Sequence, residues 1–285
     1  MKQIVVPIDF SEESLNGLKL AIIFANRFKA NLQMVYVQKP TAEIGRLDLQ
    51  EEHLKVVEAF EKITKEYGGK LNDPTKFEYH IKKGKVFHEV IGQAEAFDNS
   101  AIILSTHGAS GFEELFIGSN ALKIISASDI PVITVRHGAI VRNIDTIVFP
   151  IDPSIETRQK APYTALIAKA FDAEVLILGV SSSSSNEAEH KVSAYSNQVC
   201  DYFTEHGVKH KVTNRVGKGI TNTVVEFASE VKADLISIMT EQSGSLTDFV
   251  LGTNAQQILS KSPVPVLSIT PRETSVKGSF STSGG

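Results

Sequence analysis

The chain contains the same pattern twice. The segment IVVPIDFS (4–11) matches IVFPIDPS (147–154) at an offset of 143 residues. A second pair, GSNALKIISASDIPVITV (118–135) and GTNAQQILSKSPVPVLSI (252–269), matches at an offset of 134, so the second copy has a shorter middle. The period is far longer than that of a solenoid repeat. We therefore infer a tandem duplication of a whole domain.

Each copy alternates between two hydrophobic periods. In the first copy, residues Leu15, Leu18, Ile22 and Ala25 have helical spacing, whereas short apolar runs predict strands. These strands are QIVVPI, LQMVYVQ, KFEYHIKK, AIILST and PVITVR. Strands that alternate with helices predict a doubly wound α/β domain, in which helices cover both faces of a parallel sheet.

The second predicted helix and the domain boundaries follow from the same patterns. Residues Leu54, Val57, Phe60 and Ile63 or Thr64 are spaced to line one face of that helix. The segment HGAIVRN (137–143) separates the copies, which predicts domains at 1–139 and 140–272. Residues 273–285 contain almost no apolar side chains, so we predict a mobile tail.

Composition excludes several classes of protein. The formal net charge of −4 gives no basic footprint for nucleic acid. The single cysteine, Cys200, cannot form an internal disulfide, which suits a reducing compartment. The N-terminal sequence MKQIVVPIDF has an apolar run only as long as a strand, which fits neither a signal peptide nor a membrane span. These features predict a cytoplasmic protein without a membrane partner.

Several polar and small residues fall at the carboxyl ends of predicted strands. Asp9, Val37 and the segment 105–108 lie at the carboxyl ends of strands one, two and four, and Gly118 with Ser119 opens the next helix. Ligands of doubly wound sheets bind at this edge. A helix N-terminus offers backbone N–H groups and a positive dipole end to a phosphate. The pattern therefore predicts an anion site suited to a nucleotide.

Each of these residues also has a purely structural interpretation. The spacing Asp9-x-x-Glu12 resembles a capping box at a helix N-terminus. Gly118 and Ser119 are compatible with a simple junction between a loop and a helix, and His107 with a solvent-facing loop. The convergence of all of them on one edge of the sheet is what favours a site.

With these motifs the chain resembles a tandem universal stress protein, over nearly all of its length except the tail. That family carries Gly-x-x-Gly, nine residues, then Gly and Ser or Thr. The resemblance implies that this motif holds ribose and phosphates, and that an Asp after strand one and a Val ending strand two hold adenine. In the first copy Ser105 replaces the first glycine. The nucleotide site that the resemblance implies consists of Pro7, Ile8, Asp9, Val37, Ser105, His107, Gly108, Gly118, Ser119 and Asn120.

The second copy departs further from the family pattern. Its two loop positions are occupied by Met239 and Gln242, whose side chains would fill the space where backbone must touch a ligand. The remaining counterparts match the family and are Asp152, Val180, Gly252 and Thr253. We therefore expect nucleotide binding in the first domain and a degenerate site in the second.

The resemblance also implies the fold and the function. It implies the adenine nucleotide alpha hydrolase-like fold with strand order 3-2-1-4-5, and fifth strands that pair between the two domains as in a family homodimer. The sequence leaves open whether two whole chains also form a homodimer. The expected function is a cytoplasmic stress-response protein that binds ATP, ADP or AMP, with Mg²⁺ carried only on the nucleotide and no metal site of its own.

Two alternative functions remain open at this point. The protein is an interaction scaffold without a nucleotide if Ser105 marks the loss of binding in the first copy too. It is a slow ATPase or a self-phosphorylating protein if loop or tail hydroxyls accept phosphate. No general acid or base is recognisable in the sequence, so a binding protein is favoured over an enzyme and no catalytic residue is assigned.

Overall fold

The computed structural model describes residues 1–38, 46–72 (side chains from residue 50), 75–106, 117–136, 139, 143–181, 185–216, 219–240 and 251–271. The chain divides into two units, Met1–Arg142 and Asn143–Gly285. The division lies three residues beyond the boundary predicted from the sequence. The predicted tail lies outside the described residues. Among the described residues, no helix combines the length and apolar character needed to cross a bilayer.

The first unit is a parallel sheet flanked by helices. Its strand order is β3-β2-β1-β4-β5, and all four pairings are parallel, which confirms the predicted order 3-2-1-4-5. The strands are β1 (Gln3–Pro7), β2 (Asn31–Gln38), β3 (Phe77–Lys83), β4 (Ser100–Ser105) and β5 (Val132–Val135). The helices are α1 (Glu12–Phe28), α2 (Arg46–Tyr67), α3 (Val86–Glu95) and α4 (Ser119–Ala127).

Local chemistry explains the central β1–α1 unit. Ile4, Val5 and Val6 are all fully buried, as expected of a strand covered by helices on both faces. Ser11 is the N-cap of α1, because its hydroxyl accepts from the Ser14 N–H at 3.1 Å. At Gly17, a Cβ would lie only 3.1 Å from the Ser105 backbone nitrogen, so α1 approaches the end of β4 more closely than most residues allow.

The buried face predicted for α2 was wrong in part. Leu54 is 64% exposed, whereas Val56, Phe60, Ile63 and Tyr67 are buried. These four recur at intervals of four, three and four residues, which is also a helical stripe. Phe60 and Ile63 belong to both stripes, and the Phe60 ring packs against the Tyr79 ring of β3 at 4.5 Å between ring centres.

The second unit repeats the architecture with the order β8-β7-β6-β9-β10, and its strand pairings are also parallel. The strands are β6 (Thr146–Ile151), β7 (Glu174–Ser181), β8 (His210–Val216), β9 (Leu235–Met239) and β10 (Val266–Ile269). The helices are α5 (Ala161–Phe171), α6 (Asn186–Glu205), α7 (Ile220–Glu230) and α8 (Thr253–Lys261).

The helix after the first strand differs between the units. In the first unit α1 is continuous from Glu12, whereas in the second a short 3-10 turn, Ile155–Arg158, precedes α5. Pro162 lies in the first turn of α5, where a missing N–H is tolerated, but it cannot donate to a carbonyl four residues earlier. The proline therefore separates the 3-10 turn from the helix.

Candidate functional site

The first domain has a cavity of about 520 Å³ at the carboxyl edge of its sheet. This volume is within the range of small-molecule sites. The sequence-predicted residues that line it are Pro7, Ile8, Asp9, Val37, Ser105, Gly118, Ser119 and Asn120. His107 and Gly108 lie outside the described residues. The structure thus brings together residues from three strand ends and one helix start.

Asp9 organises the turn between β1 and α1. Its Oδ1 accepts from the Ser11 N–H at 3.1 Å and from the Ser11 hydroxyl at 2.5 Å. Since Ser11 is the N-cap, Asp9 supports the cap rather than forming it. The Asp9 N–H in turn approaches the Ser14 hydroxyl at 3.4 Å, and Asp9 itself is exposed at the cavity.

Gly118 sets the start of α4 without an unusual backbone. Its φ of −56° and ψ of 143° are open to any residue, so backbone strain does not require glycine there. Its N–H donates to the Thr106 carbonyl at 2.7 Å. An anion at this helix must therefore meet the N–H groups of the first turn, from Ser119 onward, rather than that of Gly118. Ser119 and Asn120 are exposed at the cavity.

One wall of the cavity was missed by sequence reasoning. Tyr36 lines the cavity beside Val37, and its hydroxyl donates to Glu52 of α2 at 2.8 Å. Burial, the Glu52 contact and the charges of Glu52 and Asp9 raise the pKa of Tyr36 to about 12, so the phenol stays neutral. The Phe10 ring lies 5.3 Å from the Tyr36 ring and 5.1 Å from the Phe60 ring.

Phe10 adopts an uncommon backbone conformation. Its φ is 65°, in the left-handed region that costs a residue with a Cβ about 1 kcal/mol or more. The ring contacts with Tyr36 and Phe60 offset that cost. The turn after β1 is thereby tied to β2 and α2, next to the cavity.

The second domain has a smaller cavity, of about 340 Å³, at the corresponding edge. Asp152 and Met239 line it, and Gln242 lies outside the described residues. Val180, Gly252 and Thr253 are described, but they are not among the residues that line it. None of the described β7 residues lines it either. The cavity therefore does not extend to the strand end that the resemblance assigns to adenine.

Two substitutions accompany this difference, one in β7 and one in the turn after β6. Gly179 stands where the first domain has Tyr36, and a Cβ there would lie 2.1 Å from Asn214 Oδ1 and 2.8 Å from Val192 Cγ1. The Asn214 and Val192 side chains thus occupy the place of an aromatic ring. Pro153 stands where the first domain has Phe10, and a proline cannot adopt a positive φ.

A buried lysine lines the second cavity. Lys160 is 2% exposed, and its Nζ donates to the Thr157 carbonyl oxygen and lies 3.3 Å from the Thr157 hydroxyl. The Nζ also lies 4.3 Å from the centre of the Phe149 ring. Burial lowers the pKa of Lys160 to about 7, although the charge of Asp152 acts in the opposite direction. Its counterpart in the first domain is Gly17.

Sequence comparisons agree with the fold. The universal stress protein family profile matches residues 1–136 and again residues 143–269. The chain therefore belongs to the universal stress protein family and carries two copies of its domain.

Some relatives match about half of this chain, the length of one domain, and others match nearly all of it. Universal stress protein MJ0531 of Methanocaldococcus jannaschii is 28% identical over 145 residues, which are 47% of this chain and 82% of that protein. Universal stress protein YxiE of Bacillus subtilis is 26% identical over 151 residues, 47% of this chain and 98% of that protein. The crystal structure of a universal stress protein from Archaeoglobus fulgidus DSM 4304 aligns over 94% of this chain and 98% of its own, at 20% identity and a TM-score of 0.75. That likeness shows the fold.

Proposed function

We propose that the first domain binds an adenine nucleotide in its cavity. The observation that carries the proposal is the convergence of Asp9, Val37, Ser105, Gly118 and Ser119 on one cavity of about 520 Å³. Membership of the universal stress protein family supports the choice of ligand, because all of these positions except Ser105 match the family's nucleotide motif.

The cavity offers a different chemistry at each end. Asp9 and Val37 lie at the ends of β1 and β2, where a carboxylate oxygen can accept from the adenine amino group and Val37 and Tyr36 supply apolar surface. The first turn of α4 lies at the other end, where its N–H groups and the Ser119 hydroxyl can donate to phosphate oxygens. Ser105, at the end of β4, contributes a hydroxyl or a Cβ at the ribose.

The second domain does not take the same ligand in this proposal. Its cavity lacks the β7 wall, and Met239 replaces Ser105. Lys160 contributes a buried amine where the first domain has a glycine. The first domain is then the nucleotide sensor, and the second keeps the fold without this pocket.

The identity of the nucleotide, the role of Mg²⁺, the cellular role and the location are parts of the same proposal. ATP, ADP and AMP all fit its chemistry, and Mg²⁺ accompanies the di- or triphosphate rather than occupying a protein site. A stress-response role and a cytoplasmic location follow from the family resemblance. The pairing of the fifth strands between domains likewise stays a prediction.

Matched glycine variants test the proposal. Gly118→Val and Gly252→Val change equivalent N-cap residues, since Gly252 has φ −55° and ψ 147°. Isothermal titration of the full chain with ATP and with adenosine should show that Gly118→Val weakens ATP at least about tenfold, a loss of about 1.4 kcal/mol, and adenosine much less. Gly252→Val should leave both affinities unchanged.

Two results would count against the nucleotide assignment. The first is an ATP affinity that is unchanged in a folded Gly118→Val protein, which favours the simple loop–helix junction. The second is wild-type protein that binds no adenine nucleotide in the titration, which favours the interaction scaffold. Mass spectrometry of small molecules released from the purified, denatured protein gives an independent check.

A further inference from the structure

The second cavity contains a buried amine that the nucleotide proposal does not use. Lys160 lines this cavity together with Thr157, whose hydroxyl lies 3.3 Å from the lysine Nζ. Thr157 is itself fixed, because its hydroxyl accepts from the Asp152 N–H at 3.2 Å. Lys160 is therefore held in place at one wall of the cavity. Asp152 and Glu156 also line this cavity, and both are partly exposed.

The contacts of Lys160 suit an uncharged amine. A neutral amine has two N–H donors and one lone pair, whereas an ammonium has three donors. The two oxygens of Thr157 accept from the amine, and the Phe149 ring lies against it. Burial opposes the charged form and lowers the pKa of Lys160 to about 7.

The charges around the cavity restrict what it can bind. Asp152 and Glu156 are the titratable groups that line it besides Lys160, and the described lining residues from β9, α7 and α8 carry none. Two carboxylates disfavour an anionic ligand and favour a neutral or cationic one. Apolar side chains of Ile220, Ile238 and Ile258 cover much of the remaining wall.

We propose that Lys160 is a nucleophilic amine that captures small, uncharged aldehydes or ketones as imines inside the cavity of the second domain. The first domain has no counterpart, because Gly17 occupies the equivalent helix position. The activity is therefore specific to the second domain and does not depend on nucleotide binding in the first.

The reaction needs no cofactor or oxidant. The Nζ lone pair attacks the carbonyl carbon, the electron pair of the C=O π bond moves to the oxygen, and one N–H proton of the amine is transferred to that oxygen, which gives a neutral carbinolamine. Loss of one water molecule then forms the C=N bond. A protonated imine carries a positive charge, which the nearby carboxylate of Asp152 and the face of the Phe149 ring stabilise.

Lys160 should react before ordinary lysines at neutral pH. At pH 7 about half of an amine with a pKa of about 7 is neutral, compared with roughly 0.04% of one with the ordinary value of about 10.4. Lower basicity also weakens a nucleophile, which removes part of that advantage. We expect a net rate advantage of at least about tenfold.

Reductive trapping tests the proposal on the full chain. The folded protein is incubated with propanal and sodium cyanoborohydride, which reduces an imine to a stable propyl amine, and modified lysines are located by peptide mass spectrometry. Lys169, an exposed lysine in the last turn of α5, is the internal reference. We expect the propyl group on Lys160 at least about tenfold faster than on Lys169 at pH 7, and an advantage that shrinks as the pH rises toward 10.

Controls make each outcome decisive. The Lys160→Met protein should lose the fast adduct and keep the slow one on Lys169. In denaturant the two lysines of the wild type should react at similar rates, which shows that both peptides are detected. The proposal is overturned if folded protein is modified at Lys169 and not at Lys160, or at both with equal rates.

Discussion

The two domains share a sheet order but form different cavities at the same edge. In the first domain the cavity reaches from the start of α4 to Val37 and Tyr36 at the end of β2. In the second it reaches from α8 to the 3-10 turn and to Lys160, the N-cap residue of α5, and no described residue of β7 lines it. The volumes of the two cavities are about 520 and 340 Å³.

A few matched positions account for the contrast. Phe10, Gly17, Tyr36 and Ser105 of the first domain correspond to residues of opposite character in the second, namely Pro153, Lys160, Gly179 and Met239. The framework is retained at the same time, since β1 and β6 both bury their Ile and Val side chains completely. The comparison teaches that this fold tolerates exchange of the side chains near the strand ends while the buried strands keep their pattern.

The largest expected difference concerns pH and Lys160. The unfolded chain binds a proton at this lysine below about pH 10.4, whereas the folded chain binds it only below about 7. The free energy of unfolding should therefore rise by about 2 kcal/mol between pH 7 and 9. Below pH 7 it should level off, because both states then bind the proton. Urea unfolding of wild type and Lys160→Met, compared at each pH, isolates this contribution. Parallel pH curves for the two proteins would show that the folded amine titrates normally.

The next effect concerns the turn after the first strand. Phe10→Pro installs the second domain's residue at a φ of 65°, which proline cannot adopt. Phe10→Gly removes the same ring but accepts that φ, so it is the matched control. We expect Phe10→Pro to be less stable than Phe10→Gly by more than about 1 kcal/mol, and to bind ATP more weakly. Equal stabilities in urea unfolding would mean that the ring contacts alone maintain this turn.

A smaller effect should appear at β7. Gly179→Ala places a Cβ 2.1 Å from Asn214 Oδ1, and relief requires the Asn214 and Val192 side chains to move. We expect a loss of about 1 kcal/mol in unfolding free energy. Gly92→Ala in α3, where a Cβ meets nothing within 4 Å, should instead gain about 0.5–1 kcal/mol. If both variants were equally stable, crowding would not explain the missing aromatic wall of the second domain.

The smallest effect separates the two roles of Asp9. Asp9→Ala and Asp152→Ala each remove a carboxylate that accepts from a serine two residues later, so each should cost about 0.5–1 kcal/mol of stability. Asp9→Asn retains an acceptor oxygen and should stay near wild type. Only Asp9→Ala should reduce the preference for ATP over inosine triphosphate, by up to about tenfold. An unchanged preference would leave Asp9 with its turn contacts alone.

Much of the framework could be predicted from the sequence because its signals are local. Hydrophobic periods predict the strands and helices, and the rule that ligands bind at strand ends predicts that Asp9, Val37, Ser105 and Gly118 lie close together. The face of α2 could not be fixed in this way, since Leu54 and Val56 begin two overlapping helical stripes. Only contacts with the sheet decide between them.

The missed residues depend on tertiary contacts. Tyr36 precedes Val37 directly, but its place in the cavity wall depends on Glu52 of α2 and the Phe10 ring. Lys160 looks like an ordinary helical lysine in the sequence. Its burial results from the 3-10 turn before α5 and from the Thr157 oxygens, and neither has a recognisable signature in the spacing of residues.

The central claim is that the two cavities differ in nucleotide binding. Native mass spectrometry of the full chain titrated with ATP tests it most directly, because it counts ligands per chain. We predict one ATP per chain, lost in Gly118→Val and retained in Gly252→Val. Two ATP molecules bound with equal affinity, or one that is lost only in Gly252→Val, would contradict the account.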